Sequence, residues 1–283
     1  MVGYQDRDAE IVDYRIAALD GVGTQVRGPL PPLDDGRYFS CLGAAQTFGA
    51  LVEEPYPTLV SGELGLPVLN LGVAGAGPRF FVQRPALLAH VNRGRMAIVQ
   101  VMSARSEDND RFTSGGLELL TLPDGSRLGA EPAYRRLIEE ESEETVRAVV
   151  DQTRRNWVAS YRSLFAMLTV PTVLLWLSTR TPRYSPNYKQ VHGLFGAFPQ
   201  LVDAAMVDDI RGSADTYVEV VSDRGLPQRL VSRFTGQPTF ITGRADLGSR
   251  RLEYNTYYPT PEMHADASEA LVGACRALLG AVA

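Results

Sequence analysis

The stretch CLGAAQTFG (41–49) reads as a strand that turns sharply into a helix, with Gly43 at the turn and Thr47-Phe48 opening the helix. Turns of this kind hold the nucleophilic serine in many acyl-transferring enzymes, because they lift a hydroxyl clear of the sheet. Here Ala44 and Ala45 occupy the turn, and neither carries a nucleophile. Other candidates lie near predicted strand ends: Ser40, Cys41, Thr47, Ser103, Ser106 and Ser178. Cys41 falls inside the strand, where a thiol serves as core filler. Four arginines, Arg79, Arg105, Arg180 and Arg183, also follow predicted strands. Guanidinium groups so placed can clamp an anion. The compositional account competes with this, because Lys189 is the only lysine and arginine carries nearly all the positive charge. LGAAQTFG lacks the Lys-Ser/Thr ending of a phosphate loop.

The elements that must position these residues alternate. Strands are expected at 37–42, 67–72, 96–103, 172–178 and 216–222. MAIVQVMS (96–103) is nearly all apolar, as a strand covered on both faces would be. Helices are expected at 46–64, interrupted near EEPYP, and at 79–93, 132–168, 198–211 and 264–283. LELLTLPDGSRLG (117–129) reads as a hairpin turned by Pro-Asp-Gly. The acidic run EEESEE (139–144) reads as a solvated helix face. Residues 223–262 read as irregular or short β structure. Residues 1–35 read as an extension closed by GPLPPLDD, and residues 36–283 as one domain. Strands alternating with helices predict an α/β fold, three layers deep, with a mostly parallel sheet of about five strands. Ligands of such sheets gather at the carboxyl ends of the strands.

Four segments fall at those ends or just ahead of the last helix: LGAAQTFG, NLGVAGAGP (70–78), SARSEDNDRF (103–112) and YYPTPEMH (257–264). In order and spacing they resemble the sequence blocks of the SGNH, or GDSL-type, hydrolases, and YFSCLGAAQTFG with YYPTPEMH resembles an uncharacterised bacterial branch of that group. Gly43-Ala44-Ala45-Gln46-Thr47 stands where the Gly-Asp-Ser block belongs. Asn70, Gly72 and Gly75 match the second block, Asn109-Asp110 the third, and His264 the last. The resemblance spans about residues 37–283. It implies hydrolase or group-transferase chemistry on an acyl- or carbohydrate-bearing substrate. It also implies that the Gly75 N–H and the Asn109 amide stabilise an oxyanion and that His264 acts as base. Gln46, Thr47, Asn70, Arg79, Arg105 and Arg180 would line the substrate site. Two positions depart from the pattern. The block-one serine maps onto Ala45, and the acid expected three residues before the histidine is Pro261. Glu262 and Asp266 are the neighbouring carboxylates.

Three readings follow: an enzyme with a non-standard nucleophile, a non-catalytic binding protein on the same scaffold, or a protein that binds or transfers an anionic group. His90 and His192 read as an ordinary helix residue and loop residue, and the tyrosines before His264 as loop packing or a stacking surface. Composition narrows the field. A net charge of −5 argues against nucleic acid as partner. The two cysteines have no metal-ligand spacing and predict free thiols in a reducing compartment. The N-terminus carries acids where a signal peptide is apolar, and LFAMLTVPTVLLWL (164–177) is too short to span a bilayer. The expectation is a cytoplasmic protein with a small-molecule ligand, no metal and no cofactor.

Overall fold

The computed structural model describes residues 2–19, 22–242 and 251–281. A short helix α1 (Val2–Asp8) is followed by a hairpin of β1 (Ala17–Leu19) and β2 (Thr24–Val26). The main sheet begins with β3 (Phe39–Gly43), which leads into α2 (Ala45–Phe48) and α3 (Tyr56–Leu64). Next come β4 (Val68–Gly72), α4 (Pro78–Val82), α5 (Pro85–Asn92) and β5 (Ala97–Gln100). A 3₁₀ turn (Ala104–Ser106) and a hairpin of β6 (Leu119–Thr121) and β7 (Arg127–Gly129) precede α6 (Ala130–Glu140) and α7 (Glu143–Met167). The chain continues through β8 (Thr172–Ser178), α8 (Val191–Phe195), α9 (Ala204–Arg211) and β9 (Thr216–Val221), and α10 (Pro261–Ala281) follows.

Five strands form one parallel sheet in the order β4-β3-β5-β8-β9. Counted along the chain, this is the order 2-1-3-4-5, which reverses direction between β3 and β5. The crevice at that switch lies beyond Gly43 and Gln100. Alternation along β3 divides the core into two layers. Phe39 and Cys41 face α3 and α10, against Tyr56, Val60, Ala267, Leu271 and Cys275. Leu42 faces the opposite layer with Trp157, Tyr161 and Trp176. The thiols of Cys41 and Cys275 are free and buried. Burial pushes the Cys41 thiol far up and that of Cys275 to about 12, so neither ionises to a nucleophile at neutral pH.

Three expected helices are broken, each for a local reason. The region 79–93 divides at Gln83-Arg84 because Pro85 has no N–H to continue the ladder. The region 132–168 divides at Glu141-Ser142, where Ser142 Oγ accepts from Thr145 N and caps α7. The region 198–211 becomes helical only at Ala204, after Asp203 has capped Met206 N. The last helix begins at Pro261, so His264 lies in its first turn. Of the segment 223–262, residues 243–250 lie outside the described residues, as do 282–283 of the closing helix. No described helix is long and apolar enough to cross a membrane.

Candidate functional site

Gly43 ends β3 where the backbone must pass close to two side chains. A Cβ there would overlap Thr47 Oγ1 and Gln100 Oε1. Gln100, at the end of β5, accepts from Ala44 N (2.9 Å) and from Thr47 Oγ1 (2.7 Å). Thr47 Oγ1 also meets the Tyr56 hydroxyl at 2.9 Å. Asn70 closes the same knot: its Nδ2 donates to Thr47 O, and its Oδ1 accepts from Gly72 N, both at 2.9 Å. A Cβ at Gly72 would overlap the Phe48 backbone, so only glycine lets β4 end against α2.

His264 joins this knot through Tyr56. Its Nδ1 accepts from Tyr56 N at 3.1 Å, its ring stacks on the Tyr56 ring, and its Nε2 has no partner. The imidazole is fully buried, and desolvation, with the positive field of Arg27, pulls its pKa down to about 3. Neither ring nitrogen meets a carboxylate among the described residues. Glu262 is exposed and lies over Gly225, while Asp266 pairs with Arg224 and Ser222. The structure therefore does not bring Glu262 to His264.

Ala45 is 6% exposed and sits in an apolar cluster with Val12, Tyr14, Phe48 and Ala50, flanked by Tyr4 and Tyr258. The N-terminal segment closes over the turn. The Tyr4 and Tyr258 hydroxyls are 3.0 Å apart, and the Tyr4 and Tyr14 rings pack on Phe48. Arg27 straps the far side of the turn, donating to Phe48 O, Gly49 O, Val52 O and Glu53 O.

The other expected donors lie elsewhere. Asn109 Nδ2 donates to Thr153 Oγ1 (2.9 Å) and Tyr134 OH (3.3 Å), and its Oδ1 accepts from Arg111 N and Phe112 N. With Arg79 it borders a separate polar cleft beside α7. Arg79 Nε pairs with Asp108 at 3.1 Å. Beneath that cleft, buried Glu107 accepts from Ser160 Oγ, and burial raises its pKa to about 8. Gly75 adopts φ 73°, and its carbonyl accepts from Ser106 Oγ. Glu118 lies over Gly75 and ion-pairs with Arg105 at 2.8 Å. Arg180 spends its guanidinium on the carbonyls of Thr181, Pro182, Ala197, Pro199 and Val202. Burial lowers its pKa to about 10. Of the expected clamp, only Arg105 reaches the site described next.

That site is a cavity of about 340 Å³ at the ends of β5 and β8. Its lining includes polar Gln46 and Arg105 and apolar Leu177, Phe195, Phe198 and Met263. Gln200 and Tyr257 also line it, joined by a 3.0 Å hydrogen bond from Gln200 Nε2 to Tyr257 OH. Gln200 also accepts from Ser103 Oγ, while Ser178 Oγ donates to Phe198 O, so both hydroxyls are engaged. Gln46 is 2% exposed, and neither its Oε1 nor Arg105 Nε has a hydrogen-bond partner among the described residues. Of this set the sequence names Gln46 and Arg105 as substrate-lining residues, Ser178 as a candidate hydroxyl and Tyr257 as a packing or stacking ring, while Met263 stands inside YYPTPEMH without a role. Gln100 and Gln200 carry a weak sequence signal, a polar amide inside an apolar run, whereas Phe195, Phe198 and Met263 are indistinguishable from core.

Residues 2–114 and 135–279 match the model of a family described as a domain of unknown function, DUF6473, and the chain belongs to that family. No curated protein sequence matches it. Among solved structures it is similar to a carbohydrate esterase family 2 enzyme from Corynascus thermopiles (Myceliophthora fergusii), at 12% identity and a TM-score of 0.42, covering 91% of this chain and 70% of that one. It is also similar to a mutant acetyl-xylooligosaccharide esterase from Geobacillus Stearmophilus, at 15% identity and a TM-score of 0.41, covering 87% and 95%. An alpha/beta hydrolase from the metagenome of Lake Arreo, Spain, gives 12% identity and a TM-score of 0.41, covering 87% and 97%.

Proposed function

We propose that this chain is a small-molecule-binding protein on an SGNH-hydrolase-like scaffold whose ester-cleaving centre has been filled in. The four sequence blocks and the 2-1-3-4-5 strand order support the scaffold. One observation carries the loss of hydrolysis: the position of the block-one serine is a buried alanine under the N-terminal tyrosines. A nucleophile needs a hydroxyl, a base within reach and a path for substrate. Ala45 supplies none of these, and His264 faces Tyr56 without an orienting acid. Binding then falls to the cavity beside Gln46 and Arg105. The ligand is small and polar, and the natural setting is the cytoplasm.

The expected outcome is that wild type and Ala45→Ser both fail to hydrolyse a panel of small activated and acetylated esters. A library of small polar molecules should nevertheless raise the Tm through binding to the folded state. Wild-type esterase activity that disappears in folded His264→Ala would overturn this reading in favour of an enzyme with a rewired nucleophile. So would esterase activity gained by Ala45→Ser.

A further inference from the structure

We propose that the N-terminal arm is a strap on the cavity: docked, it holds Tyr257 against Gln200, and released, it lets the cavity open where Tyr257 lines it. The inference rests on the binding reading above and adds a control on access to that site.

Two neighbouring rings serve two different parts of the molecule. Tyr257 lines the cavity, and its hydroxyl accepts from Gln200 Nε2 at 3.0 Å. Tyr258 packs against the apolar cluster of the arm, and its hydroxyl lies 3.0 Å from that of Tyr4. The two are tied together. Asn255 Oδ1 accepts from Tyr257 N (3.1 Å) and Tyr258 N (2.9 Å), while its Nδ2 donates to Tyr258 O at 2.9 Å. The rings meet edge to face, with centroids 5.0 Å apart. A displacement of Tyr258 is therefore passed to Tyr257 through a short, hydrogen-bonded turn.

The two ends of this unit differ in firmness. On the cavity side, buried Gln200 is bound to the segment just after β5. Its N–H donates to Ser103 Oγ (2.8 Å), its O accepts from Ala104 N (3.0 Å), and its Oε1 accepts from Ser103 Oγ. On the arm side, α1 has seven residues, too few for a stable helix by itself. It keeps its shape by docking, with the Tyr4 ring against Phe48 and Tyr258 and Arg7 over the Tyr4 ring. Docked and released are thus two states of the arm. Tyr257 is 43% exposed, so its ring has room to swing outward without displacing the core. The bond from Gln200 is the joint that parts. The coupling is reciprocal: whatever pushes Tyr257 outward also loosens the arm.

The test reads access to the cavity by thiol labelling of the full-length protein with N-ethylmaleimide. Cys41 and Cys275 are buried and serve as internal monitors of unfolding. Ser178→Cys places a reporter thiol at a buried lining position, and Met263→Cys is a second reporter should the first fail to fold. Labelling is followed with and without Tyr4→Ala, each thiol being assigned by peptide mapping, while tryptic cleavage after Arg7 reports release of the arm. The expected result is that Tyr4→Ala speeds cleavage after Arg7 and raises reporter labelling about tenfold, with Cys41 and Cys275 unchanged. In the reverse direction, an adduct on the reporter should speed cleavage after Arg7. Faster cleavage with unchanged reporter labelling would overturn the proposal. So would unchanged cleavage, because Tyr4 would then not be the hold, and so would an equal rise at all the thiols, which is general loosening. Each of these leaves the binding reading intact, since ligand-induced Tm shifts decide that.

Discussion

His264 is an imidazole held neutral by its surroundings, and the consequence can be measured. An unfolded histidine titrates near pH 6.5. In the fold, burial first, and then the charge of Arg27, lower its pKa to about 3. Between these values the unfolded chain takes up a proton that the folded chain refuses. Stability from this residue is therefore complete above about pH 6.5 and is lost as pH falls toward 3, by up to about 1.4 kcal/mol per pH unit. His264→Gln keeps an acceptor for Tyr56 N but does not titrate. The stability advantage of wild type over this variant should shrink by about 2 kcal/mol between pH 7 and pH 5, read from urea midpoints. Glu107 works in the opposite direction, because its raised pKa weakens the fold as pH rises, but it is common to both proteins and cancels. An unchanged difference would show that His264 is not the buried titrating group. His264 was conspicuous in the sequence because it stands directly ahead of the closing helix. Its tautomer was not legible, since that depends on Tyr56 N, 208 positions away.

At the scale of elements, the connection between α2 and α3 has little secondary structure of its own and is pinned by one side chain. Arg27 donates to four carbonyls between Phe48 and Glu53 at 2.7–2.9 Å, and its guanidinium lies over the Tyr14 and Phe48 rings. Burial lowers its pKa to about 10, so it stays charged at neutral pH. Arg27→Met keeps much of the apolar stem but strands those carbonyls; the expected cost is about 3 kcal/mol, read by chemical denaturation. A loss no larger than that of a surface substitution would mean that water replaces the guanidinium. The five strands could be read from the sequence because each is a short apolar run between turn residues. The breaks at Pro85 and Ser142 were written in the residues as well, as a proline and a cap. Arg27 gave no such sign. Its partners are backbone carbonyls, which every sequence supplies and none advertises.

For the whole molecule, the segment up to Ile16 packs onto the rest of the chain through Tyr4, Val12, Tyr14 and Ile16. Tyr14 OH donates to buried Asp8 at 2.6 Å and accepts from Leu51 N at 2.9 Å. Arg233 donates to Ala9 O and Glu10 O. Tyr14→Phe should cost about 2 kcal/mol, because it leaves a buried carboxylate and a backbone N–H short of a partner. Thermal unfolding of the variant checks this. A Tm shift much smaller than 4 °C would mean the arm contributes little to the global fold. The strand alternation conveyed the architecture, but the docking of this arm was hidden, because it depends on contacts spanning nearly the full chain. Those contacts also carry a consequence for local opening. Tyr4 meets Tyr258, and Arg233 holds Ala9 and Glu10, so the arm cannot lift off Phe48 without also giving up its hold on the segments around 233 and 258.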